Sequence, residues 1–193
     1  MPGANLQDPQ EQGRLLVELT HKFAKGQKSL VDFREQFFPA RKDVKSAKFH
    51  HEWSDMLLNG TLNYAIEGFR ESAKTTYVMR TFPVYCLVYP DYDLDFIALI
   101  SSDEDTARDK LSSIKAEYTS KPYLMSNLIE VIENNEDAYE VLVKPYGDGD
   151  PIPVRIEVFG KGSQIRGLES KGRRPKIVIL DDVQDKKAIE SDL

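Results

Sequence analysis

An α/β fold, with a mostly parallel sheet flanked by helices and an N-terminal helical segment, is the architecture this 193-residue chain predicts. Three observations carry that expectation. Two short runs, Phe96-Ile97-Ala98-Leu99-Ile100 and Ile177-Val178-Ile179-Leu180, are apolar throughout, as strands buried on both faces of a parallel sheet are. Ala107, Leu111, Ile114 and Tyr118 recur at i, i+4, i+7 and i+11, the spacing of one helix face. Strand and helix patterns alternate along the chain instead of segregating.

Composition narrows the function classes. At 40% hydrophobic and 30% charged residues the chain has the make-up of a soluble globular protein, not of a disordered tail, a collagen or a coiled coil. A single cysteine, Cys86, excludes an internal disulfide and a Cys-rich zinc site, and it reads as a core residue. Residues 1–12 are polar and have no signal-peptide character. The longest dense apolar run, Phe82 to Tyr89, falls far short of the ~20 residues needed to span a bilayer. The expectation is a cytosolic, soluble protein with no membrane partner. A net charge of −6 argues against a surface that coats nucleic acid throughout. The charges are segregated: Asp91, Asp93, Asp95, Asp103, Glu104 and Asp105 form an acidic stretch. Lys161, Arg166, Lys171, Arg173, Arg174 and Lys176 form a basic one, either a solvated loop or an anion-facing surface.

The elements follow in order. Residues 1–10 read as a disordered leader. Leu15, Leu16, Leu19 and Phe23 recur at helical spacing, with Gly26 as the stop. Ser29 and Asp32 open a second helix carrying Phe33 and Phe37, which Pro39 ends. Phe49, Trp53, Met56 and Leu57 mark a third, closed near Gly60. Adjacent His50 and His51 face different directions, which suits packing, or the border of an adenine ring, more than joint metal ligation. Residues 1–60 thus form a helical preamble and 61–193 the core. Leu62 to Ile66 reads as a strand, followed after Lys74 by a helix that Pro83 bends or ends. Ser101 and Ser102 offer caps to the helix that follows Phe96–Ile100, and Asp103 to Asp105 suit its dipole. Tyr123 to Ile132 reads as a helix or helical turn. Tyr139 to Val143 and Val154 to Phe159 read as strands around a turn at Gly147 to Pro153. Lys176 to Leu180 is a last strand, running into Asp181 and Asp182.

Gly68-Phe69-Arg70-Glu71-Ser72-Ala73-Lys74-Thr75-Thr76 fits a phosphate loop, G-x-x-x-x-[G/A]-K-[S/T], with Ala73 where glycine is usual. The spacing has a physical basis. Successive backbone N–H groups between a strand and a helix cradle phosphate, a lysine reaches the β- and γ-phosphates, and a hydroxyl holds Mg²⁺. Lys74 and Thr75 fill those two roles. An apolar strand ending in carboxylates, Asp181 and Asp182, supplies the complement: Asp181 to Mg²⁺ through its water shell, Asp182 to orient the attacking water. Arg70, inside the loop, suits the γ-phosphate. Arg166, in the loop Gly160 to Gly167, suits a neighbouring active site. The structural alternatives for these residues are a surface turn and a strand-end cap.

These motifs together resemble the N-terminal ATPase domain of the tailed-bacteriophage terminase large subunit. Phe49 to Trp53, the Arg-containing loop Gly68 to Thr75, Ile165-Arg166-Gly167, and Arg174-Pro175-Lys176 through Asp181-Asp182-Val183 occur in the family's order over about residues 45 to 190. The resemblance implies a P-loop NTPase of the RecA-like, ASCE type that hydrolyses ATP with Mg²⁺. It implies threading of double-stranded DNA through a portal protein into a procapsid, with the small terminase subunit as partner, in a homo-oligomeric ring, in the host-cell cytoplasm. It assigns Lys74 and Thr75 to phosphate and Mg²⁺, Asp181 to Mg²⁺ and Arg70 to the cis arginine. Arg166 is the candidate trans arginine, with Arg173 and Arg174 as rivals. Asp182 stands where the family commonly has Glu. The chain ends eleven residues past Asp182, so the resemblance also implies an ATPase piece cut after its Walker B strand. It would lack the nuclease domain and a strand between the Walker A and Walker B strands. Two other functions fit the same residues: another P-loop translocase or helicase, and a nucleotide-binding assembly module with little hydrolysis.

Overall fold

A computed structural model of the chain describes residues 9–39, 46–60, 63–146, 149–163 and 169–182. They divide into two units, Met1–Ile66 and Glu67–Leu193.

The first unit is helical. Helix α1 (Pro9–Gly26) begins on a proline, whose missing N–H costs nothing at a first turn, so the leader is shorter than residues 1–10. Helix α2 (Leu30–Phe37) has Ser29 as its N-cap, the side chain accepting from the Asp32 N–H at 3.0 Å. Helix α3 (Lys48–Asn59) ends at Gly60. The Leu30 N–H, an orphan of the first turn of α2, donates to Ser54 Oγ of α3 at 2.8 Å. Leu30, Val31, Phe33, Phe37 and Trp53 are buried, and the Phe33 and Phe37 rings lie 5.2 Å apart.

The second unit holds a five-stranded sheet of order β2-β3-β4-β1-β5. Its strands are β1 (Phe96–Ser101), β2 (Leu128–Asn134), β3 (Ala138–Val143), β4 (Ile152–Gly160) and β5 (Ile177–Leu180). β1 pairs in parallel with β4 and β5, whereas β2–β3 and β3–β4 are antiparallel. The sheet is therefore mixed, not mostly parallel. The expected helix at Tyr123 to Ile132 is instead a short 3₁₀ turn, Pro122–Met125, and then β2. Glu130 and Glu133, three apart, mimic a helical period. In fact β2 is an exposed edge strand whose register shifts twice against β3. Asn135 Oδ1 accepts from the Asp137 and Ala138 N–H groups and turns β2 tightly into β3, which makes the pair antiparallel.

One sheet face carries Tyr139, Val141, Val154, Ile156, Ile97, Leu99 and Ile179, all buried. Helix α5 (Glu104–Thr119) packs there through Ala107, Leu111, Ile114 and Tyr118. Its N-cap is Asp103 rather than Ser101 or Ser102, because the Asp103 carboxylate accepts from the Thr106 N–H at 2.8 Å. The cap hydrogen bonds hold that carboxyl below its ordinary range. Gly160, ending β4, admits the start of α5: a Cβ there would lie 2.6 Å from the Glu104 nitrogen.

The opposite face carries a charged row in register, with Glu140 of β3 beside Arg155 of β4 and Arg155 beside Phe96 of β1. Arg155 donates to Glu133 at 2.7 Å, Glu157 at 2.8 Å and Glu140 at 3.1 Å. Lys171 and Arg173, from the turn bridged between Ser170 and Arg173, come down on the same acids. Lys171 reaches Glu140 at 2.7 Å, and Arg173 pairs with Glu140 and with Asp95 at 3.6 Å. The guanidinium groups of Arg155 and Arg173 lie over the Phe96 ring. Cys86 is buried in helix α4 (Phe82–Val88), and burial pushes its thiol far up, as a core role requires.

Candidate functional site

Residues 63–69 form no strand, contrary to the expectation for Leu62 to Ile66; Leu62 itself lies outside the described residues. A strand needs a hydrogen-bonded neighbour, and β5 is paired to β1 alone, with its other edge unpaired among the described residues. The chain instead enters the loop in irregular form. At Glu71 φ is 70° and at Ala73 it is 60°, both left-handed. The Ser72 N–H turns back to the Phe69 carbonyl at 3.1 Å. Among the described residues, the N–H groups of Arg70, Glu71 and Ala73 donate to no carbonyl. Left-handed residues alternating with ordinary ones turn successive N–H groups into one concavity, an anion nest. The usual glycine at position 73 is explained by that φ, which an L side chain adopts at a cost of about 1–2 kcal/mol.

Lys74 and Thr75 begin the helix. It continues as a π-helical segment, Thr76–Thr81, and then as α4. Pro83 neither ends nor interrupts it. The Phe82 N–H reaches back five residues to the Tyr77 carbonyl. That wider turn relieves the clash between a proline ring and the carbonyl four residues earlier. Gly68, Phe69, Arg70, Glu71 and Thr75 are exposed; Ala73, Lys74 and Thr76 are partly buried and Ser72 is buried. Among the described residues the Lys74 ammonium and the Arg70 guanidinium form no ion pair.

The carboxylates lie just past β5. Asp181 continues the β1–β5 pairing, its N–H donating to the Ile100 carbonyl at 3.0 Å. Its carboxylate is ion-paired at 3.0 Å with Lys110 of α5, not with Lys74. Asp182 has φ 58° and is exposed. The loop helix and α5 run side by side, with Arg80 Nε 3.5 Å from Glu117 Oε2. Lys74 precedes Arg80 by six residues and Leu111 precedes Glu117 by six. With the two helices running the same way, Lys74 lies toward the start of α5. The far end agrees. Asn127 Nδ2 ties the Val88 carbonyl to that of Lys144, just past β3, and so places the end of α4 at the amino edge of β1. The phosphate-loop candidate and the carboxylates thus belong to the same, carboxyl edge of the parallel strands, where ligands of α/β sheets bind.

Of the basic stretch, Lys171 and Arg173 are absorbed in the ion network over the sheet, and Lys176 Nζ donates to the Tyr92 carbonyl at 3.1 Å. Arg173 thus pairs within its own unit, with Glu140 and Asp95. Arg174 is exposed. Arg166 lies outside the described residues. In the first unit His50 accepts the Ala47 N–H at Nδ1 (2.9 Å) and its ring lies 5.5 Å from that of Trp53, so it starts and packs its own helix. Lys110 is the residue that sequence patterns miss. It belongs to no motif, and only the packing of α5 on β1 and β4 brings it to Asp181.

Among the described residues, this loop carries three N–H groups that donate to no carbonyl and two cations that form no ion pair, a make-up that suits a phosphate-bearing ligand. Among the described residues no cluster of three or more His, Cys, Asp or Glu side chains is placed to hold a metal ion. Thr75 and Asp181 each offer one oxygen donor group, and a hydrated cation such as Mg²⁺ would need water and phosphate as its other ligands. Among the described residues no helix is long and apolar enough to cross a membrane. Comparison with known protein families and with characterised proteins returned no match.

Proposed function

We propose that this chain is an ATPase of a viral DNA-packaging motor, a relative of the terminase large subunit that hydrolyses ATP to move double-stranded DNA into a procapsid. The observation that carries the nucleotide reading is the left-handed pair Glu71 and Ala73, with its unengaged N–H groups directly ahead of Lys74. Support for DNA packaging, the portal protein and small terminase subunit as partners, and a ring of copies comes from the ordered motifs of the resemblance.

In this reading the nest and Lys74 hold the phosphates, and Thr75 and Asp181 hold Mg²⁺. Held by Thr75 and Asp181, Mg²⁺ would supply positive charge against the negative charge that develops on the phosphoryl group. Arg70 adds positive charge in cis, Arg166 reaches from the adjacent copy, and Asp182 orients the attacking water. Asp182 is one methylene shorter than a glutamate, and its backbone is left-handed.

ATP turnover with and without double-stranded DNA tests the proposal. DNA-stimulated hydrolysis is expected. Lys74→Ala is expected to weaken nucleotide binding by at least about tenfold, the loss of one charge-assisted contact of 1.5–3 kcal/mol, with an unchanged unfolding midpoint. Unaltered ATP affinity in that variant overturns the site. Strand separation favours a helicase instead, and binding without turnover under any condition favours an assembly module.

A further inference from the structure

We propose that Lys110 is a positioning residue for this site: it grips one carboxylate oxygen of Asp181 and leaves the other to meet a hydrated divalent cation. The inference rests on the nucleotide reading above.

The Lys110 ammonium lies 3.0 Å from Asp181 Oδ2 and 2.8 Å from Ser101 Oγ. Both charged side chains are largely covered, at 16% and 15% exposure, and Ser101 is fully buried. The Ser101 hydroxyl donates in turn to the Asp181 carbonyl at 3.4 Å, while the Asp181 N–H is held by Ile100. Asp181 is thus tied at its N–H, its carbonyl and one carboxylate oxygen, by β1 and α5 together. Among the described residues its other oxygen, Oδ1, accepts nothing. A surface lysine that merely neutralised an acid would keep its rotamers free; this one is pinned between two acceptors at the end of the sheet.

Two opposite effects on a cation follow from such a lysine. Its charge repels Mg²⁺, and its grip orients the ligand. Asp181 meets Mg²⁺ through water in this reading, so a carboxylate and a water layer separate the two cations and weaken the repulsion. The orientation of Oδ1 has no such screen. Outer partners that orient metal ligands typically contribute 10–100-fold to metal affinity. Orientation therefore dominates, and the lysine raises affinity for the cation.

Calorimetric titration of ADP into the 193-residue protein, in EDTA and in excess Mg²⁺, decides the matter. Wild type is expected to bind ADP more tightly with Mg²⁺. Lys110→Gln, which removes the charge, is one methylene shorter and keeps a hydrogen-bond donor, is expected to lose about tenfold of that Mg²⁺-dependent gain, with its affinity in EDTA unchanged. Lys110→Arg is expected to restore most of the gain. Full retention or an increase of the gain in Lys110→Gln overturns the proposal and leaves the nucleotide site standing. Equal loss in EDTA and in Mg²⁺ overturns it as well, because it marks a general structural role. Absence of ADP binding by wild type fells the nucleotide reading itself, and this inference with it.

Discussion

Ala73 concentrates the argument at the scale of one residue. Its left-handed backbone is the conformation a phosphate-cradling loop needs, yet it carries a Cβ that opposes it. Ala73→Gly is expected to remove that strain, against a smaller loss from the freer unfolded chain. The net gain is about 0.5–1 kcal/mol, read as a rise in the denaturant midpoint. Ala73→Val is expected to abolish nucleotide binding, because a β-branched residue does not take positive φ. A valine variant with wild-type ADP affinity would contradict the nest. The Gly-x-x-x-x-Ala-Lys-Thr spacing was legible in the residues alone. The Lys110 grip on Asp181 was not, since it joins positions 71 residues apart that share no motif.

Within elements, polar pins decide how helices meet. Ser54 of α3 accepts the first N–H of α2, and it is buried. Ser54→Ala is expected to cost about 1–3 kcal/mol, the penalty of a buried N–H left without an acceptor, measured by chemical denaturation. The loop helix shows a different device. A proline in its middle is tolerated because the preceding turn widens to π geometry, so that Lys74 still starts a continuous helix running to Val88. Pro83 was legible as a perturbation, but a bend, a stop and a wider turn read alike in sequence. Neighbouring packing chose among them: Tyr77, Met79 and Thr81 are all buried.

Over the whole second unit, Arg155 links β2, β3 and β4 through three carboxylates and shares Glu140 with the turn carrying Lys171 and Arg173. Arg155→Met is expected to destabilise the protein by about 3–5 kcal/mol, because Glu140 is left buried with fewer partners. The network also predicts a pH dependence. Hydrogen bonding from Arg155 holds the Glu133 carboxyl below its ordinary value of 4.5. The unfolded chain then takes up the proton first. That stabilisation is complete above about pH 4.5 and is lost as pH falls through the lower, folded value. Asp95 acts in the opposite sense, since burial raises its carboxyl despite the nearby Arg173. A denaturation midpoint measured against pH is expected to fall on the acid side, and to fall less steeply in Arg155→Met.

The residues by themselves determined the local events. The helix faces at Leu30 to Phe37 and Ala107 to Tyr118, the buried strand at Phe96 and the loop ahead of Lys74 each follow from periodicity or steric demand within a few positions. Only the tertiary structure decided strand partnership and ionic partnership. Glu130 and Glu133 belong to a strand because β3 turns back on it. Among the described residues, 63–69 form none, and the outer edge of β5 stays unpaired. The basic stretch near Arg173 divides between a buried network and a free surface according to which acids the sheet presents. Pairing energy depends on what lies across a gap in space, and one-dimensional order carries that information weakly.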